Sequence, residues 1–333
     1  MKFCSTATFS ATVISLILSI GLSSCTRVPS PTDDSSQTNT PETVSNTPDS
    51  STSPSGDSET GVEPVRIGVL AIDSALSVHN RYTPLIDHLS KALDRPFELV
   101  PLTQDSQFSA VAKEEVDFIT NNPLAAVQVQ RLYDTEFLVT HSRPGSGTEF
   151  SALIVVKSDS DIQTLEDLRG KQVACVDFET AAAGCLFQVY HLRQKNIDPF
   201  QNFGSFVENP SQDNIVLAVL NGTLDAGFIR TGQLEKMQKK DLLSNLDDIR
   251  ILEPAGDNFV FEHTTALYPE WPIAALPNTD PELRDAVQDA LLTLPKEHSA
   301  LTAANVEQFT DAVDYQPIHD LIETLQLKSW DAL

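Results

Sequence analysis

Three short stretches combine residue types that can hold a small anion. In VACVDFETAAAGCLF (residues 173–187) an apolar run reaches Asp177, and Thr180 then precedes Ala181, Ala182 and Ala183, which should open a helix. A strand-to-helix turn of this kind offers free backbone N–H groups, with one hydroxyl at Thr180. In NPSQDN, Ser211, Gln212 and Asp213 begin a second helix, where Asp213 complements the positive helix end and Gln212 can serve either as a ligand contact or as part of the cap. DAGFIR ends on Arg230, a planar and permanently charged fork suited to carboxylates and oxyanions, or to one half of an ion pair across a cleft. Asn121 and Asn122 precede Pro123 at a third helix start, where capping and ligand contact are both chemically apt.

Other candidates read more simply. Arg143, Gly145, Gly147, Thr148 and Glu149 suit a hinge; Thr148 is kept as a ligand candidate, whereas the glycine spacing is not that of a phosphate-binding loop. Tyr268 and Trp271 in LYPEWP are expected to pack at a chain crossing. Cys175 and Cys185, ten positions apart, form a disulfide candidate: a staple for the turn between them, or a redox pair, with the staple favoured. The seven histidines are scattered without a metal-ligand spacing, and no nucleophile elbow or Cys–His–Asn set is present. The expectation is a chain with no metal, no cofactor and no catalytic centre.

The elements that must position these residues alternate. PVRIGVLAI (64–72) reads as a strand, residues 83–94 as a helix, FELVPL (97–102) as a strand, 105–117 as a helix, FIT (118–120) as a strand and 122–133 as a helix. EFLVTHSRP and TEFSALIVVKS read as extended connections. A second α/β series follows: a helix from TLEDLRG (164–170), the strand QVACVD, the helix AAAGCLFQVYHLRQKN, the stretch FGSFVEN, the helix DNIVLAVLNG and the strand DAGFIR. ALYPEWPIAALP (266–277) is helix-poor and precedes DPELRDAVQDALLTL. Strands separated by helices imply parallel sheets, and two such series joined by two crossings leave a cleft in which ligands gather at strand carboxyl ends.

The ends have a different character. One lysine, then the apolar ATVISLILSIGL, reads as an export signal, and Leu22-Ser23-Ser24-Cys25 resembles a lipobox, making Cys25 the lipidation candidate against a plain signal with a chance cysteine. From Thr26 to Thr60, 17 of 35 residues are Ser or Thr and five are Pro, a composition that cannot bury enough apolar surface to fold and reads as a tether. With 47 acidic against 22 basic residues the formal charge is −25, which argues against nucleic acid as a partner.

Several of these stretches, in order, resemble the periplasmic phosphate/phosphite/phosphonate-binding protein family of ABC transporters: VRIGVL, YTPLIDHLSKAL, EEVDFITNNPLAAV, TLEDLRGKQVACVD and SQDNIVLAVLNGTLDAGFIR. NNPLAAV, SRPGSGTEF, FIRTGQLEKM, LYPEWPIAALP and VDYQPIHDLIETLQL are similar to the periplasmic sensory regions of tetrathionate-type sensor histidine kinases. The resemblance implies an α/β, two-lobed periplasmic-binding-protein fold of type II, each lobe a mostly parallel sheet flanked by helices, closing on a ligand by hinge motion. It also marks departures. The family's Ser-Thr-Ser type turn is here Glu179, Thr180, Ala181, Ala182 and Ala183; its usual His before the Asp is Gln212; and Arg230 stands where transport receptors often place an acid that binds a phosphonate's amine. These departures argue against an aminoalkylphosphonate and leave an anion or polar solute open.

The expected organisation is a signal peptide over 1–24, lipidated Cys25 and tether over 25–61, one lobe from 62–145 with 265–333, and a second lobe from 146–264. The expected protein is a monomeric, lipid-anchored receptor on the periplasmic side of the cell membrane, serving an ABC permease. The alternative is a ligand-sensing accessory of a membrane sensor kinase; no kinase segment or second apolar span follows within the sequence.

Overall fold

Val65, Ile67 and Val69 are almost wholly buried, and around their strand β1 (Val65–Leu70) the chain builds its first sheet. The computed structural model describes residues 62–327; the signal peptide, Cys25 and tether lie outside the described residues, as do residues 328–333. Helix α1 (Ala75–Ala92) leads to β2 (Phe97–Leu102), α2 (Ser106–Ala112) to β3 (Phe118–Thr120), and α3 (Pro123–Tyr133) to β4 (Glu136–Ser142). The chain then crosses through β5 (Glu149–Phe150) into β6 (Ala152–Lys157) and β7 (Gln172–Cys175). Helices α4 (Phe187–Gln194) and α5 (Pro199–Asn202), strand β8 (Ser205–Glu208), α6 (Gln212–Leu220), β9 (Ala226–Arg230), α7 (Gln233–Lys239) and β10 (Ile249–Ile251) complete the second series. It returns through β11 (Tyr268–Pro269) to β12 (Pro272–Ala275), α8 (Pro281–Leu292), α9 (Ser299–Ala304), β13 (Gln308–Asp311) and α10 (Gln316–Leu325).

The first sheet has the order β13-β4-β12-β3-β1-β2, with β1 parallel to β2 and β3 and with β12 and β13 running antiparallel to their neighbours. The second has the order β10-β6-β9-β7-β8, parallel at β7 with β8 and β9, and antiparallel where β6 meets β9 and β10. Strands β5 and β11, one from each crossing, pair as a two-stranded ribbon between the sheets. Apolar clusters lie on both faces of each sheet: Val69, Leu89 and Phe118 on one face of the first, Phe108 and Ile119 on the other, and Ile154 and Phe187 opposite Ile215 and Met237 in the second. Each such fully buried side chain stabilises the fold by about 1.5–3 kcal/mol.

Several elements differ from their sequence reading. Helix α1 begins at Ala75, eight residues before Thr83 at the expected start, because Ser74 caps it by accepting from Ser77 N at 3.2 Å and Val78 and Tyr82 continue the buried stripe. Pro84 sits inside that helix. Its conformation favours a first-turn position, which made it look like a start. Helix α2 ends at Ala112, five residues short of Asp117, since Glu114 turns into the left-handed region at φ 54°. TLEDLRG makes one 3-10 turn, Leu165–Leu168, held by Thr164 and Asp167, and no α-helix. The extended connections at 136–142 and 152–157 are ladder strands. Helix α10 packs Ile318, Leu321 and Ile322 into the cluster that also holds Leu124 from α3 and Val189 and Leu192 from α4, so the last helix touches elements beside both sheets.

Candidate functional site

The parallel strands of both sheets point their carboxyl ends at a common cleft. Leu70 and Ile72 follow β1, Gln104 follows β2 and Asn122 follows β3; opposite them stand Val176 and Ala181 to Gly184 after β7, Gln212 after β8 and Arg230 at the end of β9. Phe150 and Trp271, from the two crossings, close the back. The walls stand close together, enclosing about 50 Å³ in a cleft that opens to solvent.

The floor is the turn after β7. Cys175 and Cys185 are joined in a disulfide, and both are fully buried. Asp177 accepts from Glu179 N, Thr180 N and the Thr180 hydroxyl at 2.7–3.0 Å, and Val176 N donates to Gly184 O at 2.9 Å. The chain then makes a single π turn, Ala182–Leu186, before α4, where an uninterrupted α-helix was expected. Gly184 is required there: a Cβ would stand 2.7 Å from Val176 Cγ2. Small residues at 181–184 thus let the backbone form the cleft wall, with Thr180 supplying no free hydroxyl.

Four contacts bridge the two sides. Asn122 caps α3 through its oxygen, accepting from Ala125 N at 3.1 Å, while its nitrogen donates to Thr180 O at 3.0 Å. Gln128 donates to Glu179 O at 3.0 Å, the Thr180 hydroxyl shares its one proton between Asp177 and Gln104 Oε1, the latter at 3.0 Å, and Lys236 pairs with Asp73 at 3.0 Å. Behind the cleft lies a buried charge cluster. The Glu270 carboxylate, 1 % exposed, stands 3.5 Å from Arg143 Nε and 3.9 Å from Arg230. Burial is the largest effect on Arg143 and works against its charge, yet Glu270 and Tyr82 together outweigh it and leave its pKa raised; at Arg230 burial dominates and Glu270 restores only part, so its pKa falls. Arg230 keeps its side chain 30 % exposed, lies over the Phe150 ring and is the only ionisable group among the lining residues.

The structure therefore brings Asn122, Ala181, Ala182, Gln212 and Arg230 to one cleft. Gln212 Oε1 accepts from Arg230 N at 2.8 Å, which ties α6 to the end of β9. The remaining candidates are engaged elsewhere. Asn121 donates to Gln107 in the first sheet's helical layer, Ser211 caps α6 by accepting from Asn214 N, and Asp213 accepts from Gln233. Thr148 accepts from Glu270 N in the crossing ribbon, and Thr180 lies at the bridge between the two sides. Sequence reasoning missed Gln104, Phe150 and Glu270. Gln104 stands two residues past a parallel strand, and Glu270 is an acid inside an apolar Pro-flanked run; those were the available signals. Tyr268 packs on Phe187 with ring centroids 3.8 Å apart, whereas Trp271 is both packed and part of the wall.

Among the described residues no helix is long and apolar enough to cross a membrane. In sequence the chain is 28 % identical over 234 residues to the tetrathionate sensor histidine kinase TtrS of Salmonella typhimurium, matching 69 % of this chain and 39 % of that one. It thus spans about two fifths of the length of that relative. In structure it is similar to the binding-protein component of an ABC phosphonate transporter from Pseudomonas aeruginosa, with TM-score 0.65 and 17 % identity over 80 % of this chain and 88 % of the other. It is also similar to PhnD1 from Prochlorococcus marinus in complex with methylphosphonate, with TM-score 0.63 and 18 % identity over 79 % and 98 % of the two chains. Those likenesses identify the two-lobed type II periplasmic-binding fold. The model for the periplasmic phosphonate substrate-binding proteins of ABC transporters matches residues 67–316, and the chain belongs to that family of extracytoplasmic binding proteins.

Proposed function

We propose that this protein is a lipid-anchored solute receptor that captures a small anionic or polar molecule between its lobes and presents it to an ABC permease. The observation that carries the reading is the convergence of strand carboxyl ends from both sheets on a cleft with Arg230 as its charged group. Backbone at 181–184, Gln212 and Asn122 supply polar edges, and the Asn122–Thr180 bridge offers a contact that opening and closing would break and remake. Lipidation of Cys25 would hold the receptor at the membrane with the Ser/Thr-rich segment as spacer.

The similarity to a sensor kinase over 69 % of the chain supports a second reading, in which the ligand-closed form engages a separate membrane kinase. Thermal-shift and calorimetric titration of the full chain against a broad oxyanion and metabolite panel tests the shared core of both. Saturable one-to-one binding is expected, and a panel without any binder would refute it. A permease with its ATPase encoded beside this gene supports transport, and a kinase supports sensing.

A further inference from the structure

The geometry points to a monoanion without an ammonium group, an organic carboxylate or sulfonate with a short apolar body, as the ligand class of this cleft. The inference rests on the receptor reading above and narrows it. Eight of the thirteen lining residues are apolar: Leu70, Ile72, Phe150, Val176, Ala181, Ala182, Ala183 and Trp271. No acid lines the cleft, so a ligand ammonium would meet no counter-charge there, and desolvating it would go uncompensated. The one lining cation, Arg230, already shares its charge with Glu270 at 3.9 Å, and Glu270 in turn is held by Arg143 at 3.5 Å.

That arrangement sets the charge the cleft accepts. Arg143, Arg230 and Glu270 together carry one positive charge, matched by a single negative charge on the ligand; Arg81 and Asp73 also act on Arg230, more weakly and with opposite sign. A second ligand charge would face Glu270 across Arg230, and Glu270 Oε1 makes no hydrogen bond that would shield it. Glu270 thereby acts as a built-in competitor that rejects dianions. Arg230 Nε donates to Thr231 O at 3.2 Å, which orients the guanidinium over Phe150 at 5.8 Å and leaves its Nη groups for the two acceptor oxygens of a ligand, while Trp271 and the alanines face the apolar remainder.

The test is titration of the full chain at pH 8 with propionate and ethanesulfonate, against inorganic phosphate, methylphosphonate, 2-aminoethylphosphonate and tetrathionate. Binding of propionate or ethanesulfonate at least tenfold tighter than any of the other four is expected. Arg230→Gln should remove it, with circular dichroism reporting the fold, and Arg230→Lys should restore only part. Glu270→Gln, close to isosteric, should raise affinity for phosphate or methylphosphonate at least tenfold relative to propionate. A preference for phosphate, a phosphonate or tetrathionate in the unaltered protein overturns the ligand class and leaves the receptor reading intact. Binding of none of the six overturns the class, and the receptor reading falls only if the broad panel is also empty. If Glu270→Gln does not fold, an unaltered preference order in Arg230→Lys, with propionate and ethanesulfonate still ahead of phosphate and methylphosphonate, supports the assignment, and loss of that order contradicts it.

Discussion

Replacing Cys175 and Cys185 together with alanine should lower the melting temperature without abolishing ligand binding. The bridge closes a loop of 10 residues. The chain-entropy relation for a loop of that length gives about 9 cal/mol/K of denatured-state entropy removed, or about 2.7 kcal/mol at 25 °C. In a domain of this size that corresponds to a melting point lower by about 5 to 10 °C. The loop has other ties, since Asp177 accepts from Glu179 N and Thr180 N, Phe178 N donates to Glu208 at 2.7 Å, and Val176 N donates to Gly184 O. Neither cysteine lines the cleft, so ligand affinity should stay within about threefold, less than 1 kcal/mol. Differential scanning fluorimetry and calorimetric titration of the double variant read both quantities. A melting point within about 2 °C of the parent would refute the stabilising role. Alkylation of either thiol in the native, unreduced protein would remove the bridge from the account, and loss of binding with retained fold would assign the pair a role in the ligand site itself.

Asn122→Asp keeps an oxygen for the α3 cap, where negative charge is favourable, but loses the donor to Thr180 O; affinity should fall about 5- to 30-fold while the melting point holds, as titration would reveal. His141 is fully buried, donating from Nδ1 to Trp271 O at 2.7 Å with Nε2 lying 3.5 Å from the Tyr82 hydroxyl, and burial followed by the Arg143 charge pushes its pKa well below 6.5. The unfolded chain therefore binds the proton that the folded chain refuses, so stability present above pH 6.5 should erode as pH falls, by about 1.4 kcal/mol per unit for each such group. His191 is shifted the same way by burial and adds to the slope, and the more exposed His88 and His319, shifted in the same direction, add less because solvent screens them, while the lowered carboxyls, Asp159, Asp167 and Asp257, act only at more acidic pH. Urea denaturation between pH 7 and 5 should show that slope, reduced in His141→Gln. Gly184→Ala should cost about 1–3 kcal/mol and distort the turn, because its Cβ would meet Val176 at 2.7 Å; a variant with parental stability and affinity would show that the turn yields freely.

The order of strands and helices was readable because β-branched runs such as VRIGVL alternate with helical spacings, and the two-lobed fold follows from the family resemblance that their succession carries. The borders were not. Pro84 masked the first half of α1, and the π turn at 182–186 depends on Gly184 meeting Val176, a tertiary contact that no local propensity reports. Short residues at helix starts could be assigned to capping or to ligand, and the sequence has no means of dividing them: Ser211 spends its hydroxyl on α6, whereas Asn122 caps α3 and still reaches Thr180. Arg230 was readable as a cation at a strand end. Its partner Glu270 was not, because pairing residues forty positions apart requires the return crossing that sets β11 and β12 beside the cleft.

Trp271 lies in the cleft wall and its indole reports what enters. The most direct measurement is its fluorescence in a Trp330→Phe background, titrated with the tightest binder from the metabolite panel. A saturable one-site change that calorimetry reproduces, and that Arg230→Gln removes, is the predicted result. Calorimetric binding that leaves Trp271 emission unchanged and survives Arg230→Gln would place the ligand elsewhere and contradict the cleft as the site.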